Sequence, residues 1–146
     1  MGLLYKIANP IVRLSGVKKM FELPKEELLR MAEKRNRRRG FSMPTDKKFR
    51  YADEIISSKY HCLKIETQPQ KSQKALLLIF GGGYIIGSDK GDISVATDIG
   101  SRSGRDVWFP YYPLCDKEHS VRHAFEMVYE AYKKCFVNMN RRILRF

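Results

Sequence analysis

Three consecutive glycines, Gly81, Gly82 and Gly83, follow the apolar run ALLLIF at residues 75–80. Glycine reaches backbone angles closed to other residues and lets another group approach the main chain closely. Three in a row after a buried strand can present unpaired N–H groups to something negative. That could be a phosphate or the oxyanion of a tetrahedral acyl intermediate. The run can also be a tight turn that binds nothing. The phosphate alternatives need patterns the chain lacks. A dinucleotide fingerprint requires Gly-x-Gly-x-x-Gly, a P-loop requires Gly-Lys followed by Ser or Thr, and neither occurs here.

Other reactive residue types are sparse. Cys62, Cys115 and Cys135 are odd in number and widely spaced, so neither a disulfide framework nor a zinc site is expected. They read as reduced thiols of a cytoplasmic protein. His61, His119 and His123 read as surface or packing residues, since none lies near a candidate nucleophile in the pattern. Asp89, Asp92, Asp98 and Asp116 read as caps and loop groups. No metal and no cofactor is expected.

The elements that must position the glycines follow from periodicity. Residues 60–67 alternate roughly and predict a strand. The continuous apolar run at 75–80 predicts a strand buried on both faces, as in a parallel sheet. Residues 92–102 predict a helix, broken by Gly104, and 106–110 a further short strand. Apolar and aromatic residues at Val121, Ala124, Phe125, Val128, Ala131, Tyr132 and Cys135 trace one helical face. Strand, helix, strand, helix implies right-handed crossovers and an α/β class with mostly parallel strands. Upstream, residues 3–21 predict two short helical pieces interrupted by Pro10 and Gly16. A further helix starts at Pro24 with early acids and late bases, and Gly40 is its expected stop. Residues 41–59 read as polar and irregular.

With 28 Lys and Arg against 16 Asp and Glu, the chain carries +12. Such a balance raises nucleic acid and anionic membranes as partners. The excess is scattered, however. Its one dense run, residues 34–40, fits a cationic helix end followed by a glycine cap. No aromatic or zinc motif accompanies it, so no specific nucleic-acid binding is expected. No stretch approaches the length of a transmembrane helix, and no uninterrupted apolar signal segment stands at the N-terminus.

The flanks of the glycines carry a resemblance. LLLIFGGGYIIGS resembles the loop after the third sheet strand in the hormone-sensitive-lipase-like branch of the α/β-hydrolases. There a strand runs into His-Gly-Gly-Gly, an aromatic, aliphatic residues and Gly-Ser. The later segment is similar to that branch's next helix end, fourth strand, Tyr-x-Leu-x-Pro-Glu loop and following helix. The matching positions are Gly104, Val107, Pro110, Tyr112, Pro113, Leu114, His119, Phe125 and Tyr132. Together the two motifs cover about residues 60–137.

The resemblance implies a serine carboxylic-ester hydrolase, esterase- or lipase-like, acting on a small acyl ester. It implies Gly81 and Gly82 as backbone N–H donors of an oxyanion hole, with Gly83 permitting the turn and Tyr84 packing beneath. It also implies residues 1–45 as an N-terminal helical cap-like segment and 46–146 as the N-terminal part of a hydrolase domain with an incomplete sheet. Two stretches depart from the pattern. Phe80 stands where the family has histidine, and Cys115, Asp116 and Lys117 stand where it has Ala-Pro-Glu. The family's nucleophile sits on Gly-x-Ser-x-Gly after a fifth strand, with Asp and His later. No Gly-x-Ser-x-Gly occurs in this chain. Nucleophile, acid and base are therefore expected to be missing, and the chain to be inactive alone, as a fragment, a frameshifted product or one piece of a split protein. The alternative is a non-enzymatic basic protein that binds an anionic partner such as nucleic acid, with the glycine loop merely structural. The oligomeric state is left open.

Overall fold

A computed structural model describes residues 22–70 and 72–143, with backbone alone for residues 140–143. The helical pieces expected within residues 3–21 lie outside the described residues. The chain divides into two compact units, 1–37 and 38–146.

The first unit contains helix α1, Lys25–Asn36. Pro24 precedes it, Glu26 and Glu27 occupy its first turn, and Lys34 and Arg35 its last, which complements the helix dipole. The helix ends four residues before Gly40, with Arg37 as its C-cap. Gly40 does have a positive φ of 124°, but it shapes the loop beyond the helix rather than capping it.

The second unit is a four-stranded mixed sheet with one helix on each face. Strand β1 is Arg50–Asp53, β2 Cys62–Glu66, β3 Ala75–Leu77 and β4 Asp106–Pro110, in the spatial order β1-β2-β4-β3. β1–β2 and β2–β4 are antiparallel, while β3–β4 is parallel. Helix α2, Lys90–Ser103, makes the crossover between the parallel pair, and α3, Val121–Ile143, follows β4. β1 falls in the segment expected to be irregular. It is short and half-exposed, so its alternation is carried by four residues only.

Register assigns the faces. Leu63 lies opposite Phe109 and Ile65 opposite Val107. This apolar face takes α2, whose Gly100 sits directly against the Val107 and Thr67 methyl groups, where a Cβ would overlap both. Gly100 thus permits the close approach of helix to sheet. The other face carries Cys62, Trp108 and, from β3, Ala75 and Leu77. Helix α3 lies on that side, with Ala124, Met127, Ala131 and Cys135 buried. Lys134 anchors it by an ion pair to Glu54 (2.8 Å) and a bond to the Ile55 carbonyl (3.1 Å).

Every residue of β4 is buried. β3 is not: it is three residues long, half-buried throughout, and Ile79 just beyond it is 51% exposed. The expectation of a six-residue strand buried on both faces is therefore corrected. β3 is an edge strand among the described residues, and an edge strand lacks the second neighbour that buries its flank.

α2 is well delimited. Asp89 caps its N-terminus, accepting from Gly91 N–H (2.8 Å) and donating its own N–H to Asp92 (2.9 Å). Gly104, in the left-handed region at φ 67°, ends it, as the sequence pattern expects.

Candidate functional site

The glycine loop leaves β3 through Phe80. Here an aromatic ring replaces the polar side chain that the resemblance anticipates, and it is buried. It stacks on Tyr112 at 4.3 Å with a 7° interplanar angle, and on Phe109 at 5.6 Å. Its carbonyl accepts a buried hydrogen bond from the Tyr112 hydroxyl (2.8 Å). Burial pushes the Tyr112 phenol up to about 12, which keeps it protonated as a donor.

The loop then turns sharply. Gly82 and Gly83 have φ of 145° and 61°, and a Cβ at Gly82 would overlap the Ile86 carbonyl. The Gly82 carbonyl accepts from Ile86 N–H (3.0 Å) and Ile85 N–H (3.2 Å), closing the turn. Tyr84 also has a positive φ, 62°, unusual for a residue with a side chain. Its carbonyl accepts from Cys115 N–H (2.7 Å), and its ring lies 5.9 Å from both Tyr112 and Phe125. Gly81 is different: a Cβ there would meet nothing within 4 Å.

The loop is thus tied at both ends to the segment after β4, by Tyr112 and by Cys115. Between the ties, nothing among the described residues accepts from the N–H groups of Gly81, Gly82 and Gly83. Backbone donors are rarely left without a partner when shielded from water. These three can donate to an oxygen that arrives from outside.

Among the described residues, no activated attacking group accompanies them. Ser88 is buried at the entrance to α2, and Ser103 lies at the far end of that helix. Cys115 is close in the chain fold, but burial and the Asp116 carboxylate push its thiol up, away from the thiolate that a nucleophile needs.

The histidines and aspartates are distributed elsewhere. His61 donates from Nδ1 to Asp53 (2.7 Å), while Phe41 stacks on its ring at 4.0 Å. His123 Nδ1 accepts from Ser120 N–H (2.9 Å) at the start of α3. Asp116 organises its own loop, accepting from the N–H groups of Glu118 and His119 (both 2.7 Å). Burial alone would push its carboxyl up, but those two bonds and the His119 ring outweigh it and hold the carboxyl below its ordinary range. Asp98 pairs with Arg102 along α2 (2.8 Å). Among the described residues, no three of His, Cys, Asp and Glu converge as a metal site requires. No helix among them is long and apolar enough to cross a membrane.

Two features were not anticipated from sequence. One is the brace from the Tyr112 hydroxyl to the Phe80 carbonyl. The other is Arg39, which donates to the Gly87 carbonyl (2.8 Å) and pairs with Asp89 (2.9 Å). It thereby fixes the far end of the glycine segment to the start of α2. An arginine within a run of like charges gives no sequence signal of that role.

Comparison with solved structures assigns the framework. The chain is similar to an esterase/lipase from an uncultured bacterium, at 21% identity and TM-score 0.65, covering 94% of this chain and 44% of that one. It is similar to EstE5 at 20% identity and TM-score 0.64, with the same coverage. A hormone-sensitive lipase from a metagenome library matches at 15% identity and TM-score 0.56, covering 81% of this chain and 44% of that one. No protein-family model and no curated relative matches the sequence. At these identities the likeness is one of fold. The chain has the sheet-and-helix framework of part of an α/β-hydrolase domain, and it spans less than half the length of the proteins it matches.

Proposed function

We propose that this chain supplies the oxyanion-binding half of an esterase-like serine hydrolase. When a serine oxygen adds to the carbonyl carbon of a small carboxylic ester, the carbonyl electron pair moves onto oxygen. Gly81 and Gly82 donate their N–H groups to that oxyanion, and Gly83 permits the turn that aims them. Collapse then expels the alcohol, and water releases the acid from the acyl-enzyme. Donors that are already oriented stabilise charge that exists only in the transition state, and losing one costs about 3 kcal/mol. The observation that carries this reading is the loop itself: three N–H groups with no acceptor among the described residues, between two hydrogen-bonded ties.

Nucleophile, base and orienting acid are not assigned to any residue of this chain. His61, His119 and His123 are each engaged locally, and Ser88, at the end of the glycine segment, is buried. The chain alone therefore hydrolyses no ester, because an oxyanion site without an attacking group has nothing to stabilise. Incubation with a fluorophosphonate probe and with p-nitrophenyl butyrate tests this. No labelling and no turnover are expected. Stoichiometric labelling of Ser88, Ser103 or any other serine would sink the proposal.

A further inference from the structure

The two helices of the second unit begin with the same bond made by different chemistry. At the start of α2, Asp89 N–H donates to the Asp92 carboxylate (2.9 Å), three residues on. At the start of α3, Ser120 N–H donates to His123 Nδ1 (2.9 Å), again three residues on. An acceptor that reaches back from this position satisfies a backbone donor the helix itself leaves unpaired. The usual acceptor is an acid or an amide, as in α2. In α3 it is an imidazole. The rest of that turn offers no substitute, since the first turn of α3 holds no acidic residue and Arg122 stands in it.

Partners of fixed polarity place the ring protons. A backbone N–H can only donate, so His123 Nδ1 carries no proton and the ring proton is on Nε2. His119 is the opposite case. Its Nδ1 lies 3.1 and 3.2 Å from the two Asp116 oxygens. A carboxylate can only accept, so His119 carries its proton on Nδ1. The two rings meet edge to face at 5.7 Å. Imidazoles take up their second proton between about pH 8 and 5. Uptake turns His123 Nδ1 from acceptor into donor, so the bond from Ser120 is present at high pH and lost as pH falls. The new charge also meets the positive end of the helix dipole, Arg122 and the His119 ring. The other charged neighbours are Lys117 and Glu118 in the preceding loop and Glu126 on α3, which Arg122 engages (2.8 Å). From the glycine loop, the Tyr84 ring approaches α3 at Phe125 (5.9 Å). His123 is exposed, so its charged ring can turn to water. For His119 the sign reverses: a charged ring keeps its bond to Asp116 and strengthens it. Asp116 also holds the N–H groups of Glu118 and His119. The residue before it, Cys115, donates to the Tyr84 carbonyl (2.7 Å).

We infer that residues 115–123 form a pH-sensitive junction. Neutral His123 holds the start of α3, and acidification releases that turn while tightening the Asp116 loop that ties down the glycine segment. The hydrolase reading is not needed for this, and no turnover enters its test.

Nitrogen NMR of the imidazoles reads the tautomers of the full chain, and amide exchange divided by its intrinsic rate reads the bonds. At about pH 7.5, His123 should carry its proton on Nε2 and His119 on Nδ1. Lowering the pH to about 5.5 should cut the protection of Ser120 N–H about fivefold, the equivalent of one lost cap. Asp89 N–H, held by a carboxylate, and Cys115 N–H should keep theirs. His123→Gln supplies an acceptor that does not titrate and should abolish the fall at Ser120. A His123 proton found on Nδ1 at the higher pH overturns the inference, and this readout needs no variant. So does Ser120 protection that stays level, or that falls equally in His123→Gln. Protection at Cys115 that falls together with Ser120 overturns it too, since the two sides then respond as one.

Discussion

β3 and β4 lie side by side, run in the same direction and are both short and apolar. Yet every residue of β4 is buried, and every residue of β3 is half-buried. β4 has a strand on each side and a helix on each face. Among the described residues, β3 has a neighbour on one side only. Burial is therefore set by what stands around a strand rather than by its composition, since the area removed from water carries the stabilisation. The consequence is an uneven molecule, with a tightly held side from β1 to β4 and an open side from β3 outward.

The largest expected effect lies on the held side. Trp108→Ala on β4 should cost about 3–5 kcal/mol, whereas Leu77→Ala on β3 should cost about half of that or less. Urea titrations of the two variants measure the difference, and equal losses would break the contrast. Within the glycine loop a similar contrast holds over one residue. Gly82→Ala forces a side chain against the Ile86 carbonyl at a positive φ and should cost about 1–3 kcal/mol. Gly81→Ala meets open space and should change stability by less than about 0.5 kcal/mol.

Tyr112→Phe removes the donor to the Phe80 carbonyl while keeping the stacked ring. A buried acceptor left without its partner costs about 1–3 kcal/mol, and the same urea titration reads it. Alkali should act more gradually, and on the held side. Burial pushes the Cys62 thiol from 9.0 up to about 12, with the neighbouring Cys135 adding to the shift, and the Tyr112 phenol from 10.0 to about 12. Both groups prefer their neutral forms in the folded chain, so the unfolded chain loses its protons first. Stability should be intact below about pH 9 and fall progressively towards pH 12. Melting temperature against pH checks this, and Cys62→Ala should make the decline above about pH 9 shallower, with Cys115 and the buried tyrosines carrying what remains.

What could be read from the residues follows the same division. The strand at 106–110, the crossover helix with its Gly104 stop and the helical face from Val121 to Cys135 all carry strong periodic or capping signals. They appear where those signals place them. The extent of β3 was not legible, because ALLLIF has the composition of a central strand and its missing neighbour is a fact about space. β1 was not legible either: Arg50 and Asp53 look like loop residues, and only pairing with β2 makes them a strand. For the candidate site, the glycines announced an unusual backbone, and Gly82 and Gly83 have it. The brace did not announce itself, since a hydroxyl on residue 112 meeting a carbonyl on residue 80 leaves no mark in local spacing.

That brace has a consequence for assembly. The ties that shape the loop, Tyr112 to Phe80 and Cys115 to Tyr84, begin and end within residues 80–115. Nothing from beyond the open edge takes part in them. The N–H groups of Gly81, Gly82 and Gly83 are therefore oriented by residues of this segment itself. The same autonomy makes the segment from β3 to Cys115 a transferable part, whose loop geometry should survive transplantation into another sheet of the same shape.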